Sequence, residues 1–377
     1  MSDEQDNKST EVLTTGKEVE IEGLEASDDT TWGDYPIDTL LIRTEARTVF
    51  DVVRRIAKGS FVMDPDFQRD FIWPKDKQSK LIESVLMRIP LPVFYLAEDE
   101  QGNMVVVDGL QRLSTFKLFF DNKLRLKLPE HPDLDKKLFK ELSPKLQNRV
   151  EDCNLILYVI DSKVPERARL NIFERVNGGV PLTRQQMRNC LYMGQATRFL
   201  KEEVMSKEFL QATGNSLDSD TMRDREFVNR FLAFYLLPLA DYKGDMDDFL
   251  AASLRTMNKM TREKVSELSH LFRRSLSNNY RAFGKHAFRK HSKGQEVRGI
   301  LNASLWDVMT TGLAAYELEV VDDKAEQLRD AFYSLLGDPS FVASVTYSPN
   351  STKNVRHRFD ASRAMLKGVF DVDASRS

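Results

Sequence analysis

The groups best suited to chemistry crowd into one stretch, Asp108-Gly109-Leu110-Gln111-Arg112, with Ser114 and Thr115 just beyond it. A β-branched run, Val105-Val106-Val107, leads into the acid and the glycine. An amphipathic helix follows, with Leu113, Phe116, Phe119 and Phe120 on its apolar side and Gln111, Arg112, Ser114 and Thr115 at its polar entrance. A strand, a tight turn and a helix start predict unpaired backbone N–H groups at the positive end of a helix dipole, a setting suited to phosphate. Arg112 adds bidentate donors, and Gly109 lets a ligand approach the backbone. Asp108 has the oxygen chemistry to hold a metal ion or orient a water. A purely structural alternative accounts for the pentapeptide as well: Asp108 as a helix cap and Arg112 paired with a surface acid.

A second constellation lies upstream, in Asp64-Pro65-Asp66-Phe67-Gln68-Arg69-Asp70-Phe71-Ile72-Trp73-Pro74, ahead of a helix expected to begin near Lys75. Two Gln-Arg pairs then flank one sheet, and Arg69 is the better ligand candidate, because Phe71 and Trp73 suit packing. The intervening helix carries Leu81, Ile82, Val85 and Leu86, after which Ile89-Pro90-Leu91-Pro92 forces extended chain into a strand. Downstream, Asn177-Gly178-Gly179 closes a helix beginning near Pro165, for which a glycine C-cap is sufficient reason, and Thr183 reads as the N-cap of the helix through Met187 and Leu191.

These elements need a scaffold, and the chain of 377 residues, 41% hydrophobic, has the apolar content to build one. Residues 1–38 read as an acidic flexible tail. Up to Leu40 there are twelve acids against Lys8 and Lys17, net −10, which leaves the remainder at net +7 although the whole chain is only −3. Residues 39–192 alternate short β-like runs, Phe61–Met63, Pro92–Leu96, Met104–Val107 and Leu155–Ile160, with short helices. Residues 193–371 show helical periodicity, as in Phe227, Phe231, Phe234 and Tyr235. The fold class expected is α+β, a mixed domain followed by a mostly helical one.

Several functions are disfavoured by what the chain contains. Cys153 and Cys190 form no CxxC and no Cys/His cluster, which argues against a disulfide framework or a zinc site. His131, His270, His286, His291 and His357 are scattered, unlike the paired histidines of a metal-dependent nuclease. No apolar run approaches the roughly 20 residues of a membrane span, and the opening has no basic or apolar leader, so a soluble, cytoplasmic protein with no membrane partner is expected. In the helical part, Arg281, Lys285, Arg289, Lys290 and Lys293 are interleaved with Phe283 and Phe288. Such a run is usually a solvated helix face, but it also suits a DNA-backbone footprint that the acidic tail would compete for.

The ordered segments Pro65-x-Phe67-Gln68-Arg69-x-Phe71-x-Trp73, Leu81-Ile82-x-Ser84-x-Leu86, Ile89-Pro90-Leu91-Pro92 and Asp108 to Thr115 together resemble the N-terminal domain of GmrSD-type restriction endonucleases. Phe173 to Thr183 is similar to that family's next segment. The resemblance implies a ParB/sulfiredoxin-like fold for residues 39–192 and a place in restriction-modification or phage defence. It implies binding, and in some members hydrolysis, of a nucleoside triphosphate with Mg²⁺, while a separate HNH domain cuts DNA. The family's Asp-Gly-Gln-Gln-Arg signature falls on Asp108, Gly109, Leu110, Gln111 and Arg112, and its first Gln-Arg pair on Gln68 and Arg69. Asp108, Gln111 and Arg112 then take catalytic roles, with Asp108 also placing the metal. Gln68, Arg69, Gly109, Arg112, Ser114, Thr115 and Asn177 hold nucleotide and phosphate. Leu110 departs from the pattern and removes an amide from the phosphate entrance, which weakens hydrolysis more than binding. Sulfinic-acid repair is disfavoured because the position of its cysteine is Leu110. Beside the nucleotide-dependent reading stand two others: a DNA-binding module without catalysis, and an interaction subunit that recruits a nuclease encoded by another gene.

Overall fold

The computed structural model describes residues 8–12, 18–22, 24, 42–63, 73–99, 101–164, 168–169, 172 and 183–371. The chain divides into two compact units, Gly33–Met193, and Met1–Trp32 together with Gly194–Ser377. Numbered along the chain, β1 (Lys8–Val12) and β2 (Glu18–Glu22) belong to the second unit. The first unit then runs β3 (Ile42–Thr48), α1 (Val49–Ala57), β4 (Phe61–Val62), α2 (Lys75–Leu86), β5 (Phe94–Glu98), β6 (Met104–Asp108), α3 (Leu110–Phe120), α4 (Pro144–Glu151), β7 (Asn154–Ile160) and α5 (Arg184–Leu191).

Its five strands form one mixed sheet in the order β3-β7-β5-β6-β4. β5 lies parallel to β7 and antiparallel to β6, with Tyr95 opposite Asp108, so the start of β5 and the end of β6 lie at the same end of the sheet. Alternation along each strand feeds two cores, because successive side chains point to opposite faces. Leu96, Val106, Leu157 and Val159 join Val52, Ile82, Leu113, Phe116 and Phe119 on the face covered by α1, α2 and α3. Ala97, Val107 and Ile160 join Met187 and Leu191 of α5 on the other. The mixed α+β class follows, with the sheet in the earlier part and helices beyond it. Thr183 caps α5 in a reciprocal box with Gln186, as its position predicts.

One strand escapes the hydrophobic reading. β3 has Arg43, Glu45 and Arg47 alternating with Ile42, Thr44 and Ala46, and it pairs along its whole length with β7. It lies at an edge of the sheet, where backbone pairing and a chain of ion pairs take the place of apolar burial: Arg43 with Glu45 and Glu98, and Arg47 with Glu45 and Asp51.

The second unit is mostly helical and is organised by long helices such as Arg223–Leu236, Arg262–Phe283 and Thr352–Phe370. Within the acidic opening the described residues include two short strands. β1 and β2 pair antiparallel, and β2 adds in parallel to a short strand, β8 (Leu301–Asn302). Ile21 and Leu24 are buried, and the alternation Glu18-Val19-Glu20-Ile21-Glu22 is the strand signal that the net charge conceals. Ser351 caps the last helix, accepting from the Asn354 N–H. Among the described residues no helix is long and apolar enough to cross a membrane.

Candidate functional site

The turn between β6 and α3 is built around Gly109. Its φ of +96° is left-handed, and a Cβ there would stand 2.2 Å from Cδ1 of Phe94, so the position excludes every other residue on two grounds. Phe94 is fully buried at the head of β5, and its ring therefore cannot give way. Gly109 is the N-cap of α3 and supplies no side-chain cap. The first N–H of the helix to find an intrahelical acceptor is that of Leu113, which donates to the Gly109 carbonyl at 2.9 Å. The N–H groups of Leu110, Gln111 and Arg112 are the terminal donors such a start leaves over.

Asp108 and Gln111 frame this helix start. Asp108 ends β6 with its side chain about one-third exposed. Its Oδ2 accepts from Arg112 at 2.7 Å, and Oδ1 has no hydrogen-bond partner among the described residues. Gln111 accepts the Trp73 N–H on Oε1 at 3.0 Å, and the Trp73 carbonyl accepts from Gln78 at 2.9 Å. The chain that leaves the first Gln-Arg segment is thereby tied to the first turn of α3. Leu110 packs against the main core, which explains an apolar residue at this entrance.

Arg112 does not serve as expected. Its guanidinium is buried and donates to the carbonyls of Pro92 and Val93, the latter at 3.1 Å, as well as to Asp108, and it lies 4.2 Å from the centre of the Phe94 ring. Burial lowers its proton affinity and the Asp108 carboxylate offsets part of that. It is a clamp between the entry of β5 and the end of β6, so a direct grip on phosphate is corrected to a positioning role. Thr115 is corrected too, since its hydroxyl donates back to the Gln111 carbonyl at 2.7 Å and the residue is buried. The Ser114 Oγ is buried without a hydrogen-bond partner among the described residues. Gln68, Arg69 and Asn177 lie outside the described residues.

The basic run in the second unit is largely spent on its own protein. Arg289 is only 1% exposed and donates to the carbonyls of Gly299, Ala287 and Thr213, and burial pulls its pKa down to about 10. A DNA contact by Arg289 is thus corrected to a structural one. Lys290 pairs with Glu22, Arg281 with Asp322, and Lys293 with Asp330 at 3.3 Å, while Lys285 is exposed. The acidic opening does meet this run, at Glu22, but as part of a folded sheet. His286 and His291, scattered in sequence, stack at 4.8 Å, and burial lowers both pKa values.

Oxygen chemistry is what the turn offers a metal ion. Asp108 brings one free carboxylate oxygen, and among the described residues no group of three or more His, Cys, Asp or Glu side chains is placed to hold a cation. That donor set fits Mg²⁺, which takes one or two carboxylates and completes its shell with phosphate oxygens and water.

Two comparisons bear on these observations. Residues 49–193 match the family model described as GmrSD restriction endonuclease, N-terminal domain, a segment that holds the whole turn and the strands β4 to β7 of the sheet positioning it. No curated protein matches the chain.

Proposed function

We propose, starting from residues 49–193 as a GmrSD-type N-terminal domain, that this chain is the nucleotide-binding component of a DNA restriction system active in defence. The observation that carries the reading is the Asp108-Gly109 turn. It sets three terminal N–H groups of α3 beside a carboxylate whose orientation is fixed from behind by Arg112. A triphosphate is the ligand class this supports, since oriented backbone donors at a helix start favour anions and Gly109 has no side chain to block their approach.

The roles divide accordingly. The Leu110, Gln111 and Arg112 N–H groups bind phosphate oxygens, Asp108 holds Mg²⁺ through Oδ1, and Gln111 orients the phosphate or a water with its amide nitrogen. Bound Mg²⁺ supplies charge neutralisation along the phosphate chain. The Arg112 guanidinium acts only by holding Asp108. Leu110 favours binding over turnover, because an amide at that position is replaced by a side chain committed to the core. DNA cleavage belongs, in this reading, to a separate nuclease subunit.

The test is a titration of the four ribonucleoside triphosphates, with and without Mg²⁺, against the wild type, Asp108→Asn and Leu110→Gln. A bound triphosphate raises the melting temperature because it favours the folded state. Asp108→Asn should abolish the Mg²⁺-dependent part of that rise, and Leu110→Gln should raise phosphate release. The absence of stabilisation by any triphosphate would refute the reading.

A further inference from the structure

A cleft of about 420 Å³ opens in the first unit, where the end of α2, the helix α4 and the start of β7 meet, and neither Asp108, Gly109 nor Gln111 lines it. Three cations do: Arg88 just past the end of α2, Lys145 in the first turn of α4 and Arg149 in its last. Elsewhere in this unit Arg43, Arg47, Arg54, Arg55, Arg112 and Arg125 each pair with a carboxylate. Arg88, Lys145 and Arg149 pair with none among the described residues. Arg149 instead donates through Nη1 to the Leu86 carbonyl at 2.8 Å, which fixes its guanidinium at the cleft wall.

Arg88 also sits where arginine is a poor choice. Its φ is +62°, and it follows the helix as the residue whose N–H turns back to Val85, a position that glycine usually fills. An arginine held in this conformation carries a backbone cost that a glycine avoids. The local fold does not require the side chain, so the cation itself is the reason to look for a ligand.

The remaining lining defines which ligand. Asp152 is the only acid among the lining residues, so three cations against one carboxylate leave a net +2, the complement of a phosphate monoester near neutral pH. Ile89, Pro90 and Leu91 form an apolar wall, and the amides of Asn148 and Asn154 offer both donors and acceptors to the edge of a ring. The volume lies within the range of small-molecule sites. A duplex keeps its bases paired and stacked and has none free to set against that wall, and a triphosphate brings more negative charge than the cleft balances.

We propose that this cleft binds a nucleoside monophosphate, its phosphate held by Arg88, Lys145 and Arg149 and its base against Ile89, Pro90 and Leu91. The site is separate from the triphosphate turn and stands or falls without it. Monophosphate binding would let the domain sense a product of nucleotide breakdown.

Cys153 lines the same cleft and reports on it. Burial pushes its thiol pKa up, so alkylation of the full chain is run at about pH 8.5, with the buried Cys190 as the internal control. Adenosine and guanosine monophosphates, added without Mg²⁺, are the probes. At least one should protect Cys153 and raise the melting temperature. Arg88→Gly should weaken that binding by about tenfold or more, as should Lys145→Ala, each removing one charged contact. Arg88→Gly should not lower the melting temperature of the unliganded chain, because glycine suits φ of +62°. Failure of both monophosphates to protect Cys153 at millimolar concentration would overturn the proposal. So would unchanged binding in Arg88→Gly, or protection by a single-stranded oligonucleotide but by neither monophosphate. Triphosphate stabilisation measured on Arg88→Gly tests the turn independently.

Discussion

Asp108 and Arg112 stand one helical turn apart and are joined at 2.7 Å, yet they face different environments: the carboxylate is about one-third exposed and the guanidinium is buried under the entry to β5. The pair converts a flexible strand end into a fixed one. The Arg112 guanidinium therefore works by aiming the carboxylate beside it. The same four-residue spacing would permit both roles, and the two carbonyls of Pro92 and Val93 decide between them.

Arg112→Ala should cost stability before it costs affinity. It leaves two carbonyls and a half-screened carboxylate without donors, a loss of about 2–3 kcal/mol after allowance for the exposure of Asp108. Urea unfolding should show a lower midpoint at unchanged slope. A midpoint equal to the wild type would mean that the clamp is not structural.

Gly109→Ala should be among the most damaging small changes in the first unit. The new methyl meets the Phe94 ring and the backbone must hold a positive φ, for a combined loss of about 2–4 kcal/mol. Pairing it with Phe94→Leu separates the two causes. The double variant should recover the part due to the overlap and keep the part due to φ, as a thermal melt of all four proteins would read out.

Asp224 gives the second unit a pH dependence of definite sign. Burial raises its pKa from 3.8 to about 6, against the opposing pull of the Arg225 N–H and charge. A carboxyl that holds its proton more tightly when folded stabilises the fold while protonated. Its contribution is present below the unfolded value and is lost as pH rises from about 4 through 6. Asp224→Asn should flatten the stability curve across that window and make the protein more stable than wild type at neutral pH. Parallel curves for the two proteins would contradict the assignment.

Asp307 holds the helical unit together from its centre. It is fully buried between Arg230, which donates at 2.8 and 2.6 Å, and Arg358, which donates at 2.9 Å. Asp307→Ala strands two guanidinium groups away from water, at a cost of at least about 4 kcal/mol. The expected result is loss of the cooperative melt or of soluble protein. Replacing Arg230, Asp307 and Arg358 together by apolar residues should restore more stability than any single replacement retains.

Periodicity exposed most of the first unit. The runs at Phe61, Phe94, Met104 and Leu155 became strands because each alternates or continues apolar residues that two faces of a sheet can bury. β3 stayed hidden because its stabilising contacts are backbone pairs and ion pairs with partners distant in the chain. The Glu18–Glu22 strand was masked by the charge of its neighbourhood, although Val19 and Ile21 carried the signal.

The candidate site divides in the same way. That a turn after β6 opens a helix at Gly109 follows from local residue types, since glycine takes a left-handed backbone without strain and the apolar spacing of α3 begins at once. Which groups face a ligand does not follow. The burial of Arg112, the inward turn of the Thr115 hydroxyl and the enclosure of Arg289 depend on carbonyls brought up from other segments, and a hydrogen-bond donor carries no mark in sequence of the acceptor it will meet. The three cations of the cleft lie at positions 88, 145 and 149, where only the packing of α2 against α4 makes them neighbours. Sequence by itself determined the apolar strands β4 to β7 and the Asp108-Gly109 turn, because both are written in residue types a few positions apart. Tertiary structure alone decided which charges remain for a ligand, because that depends on long-range pairing and on burial.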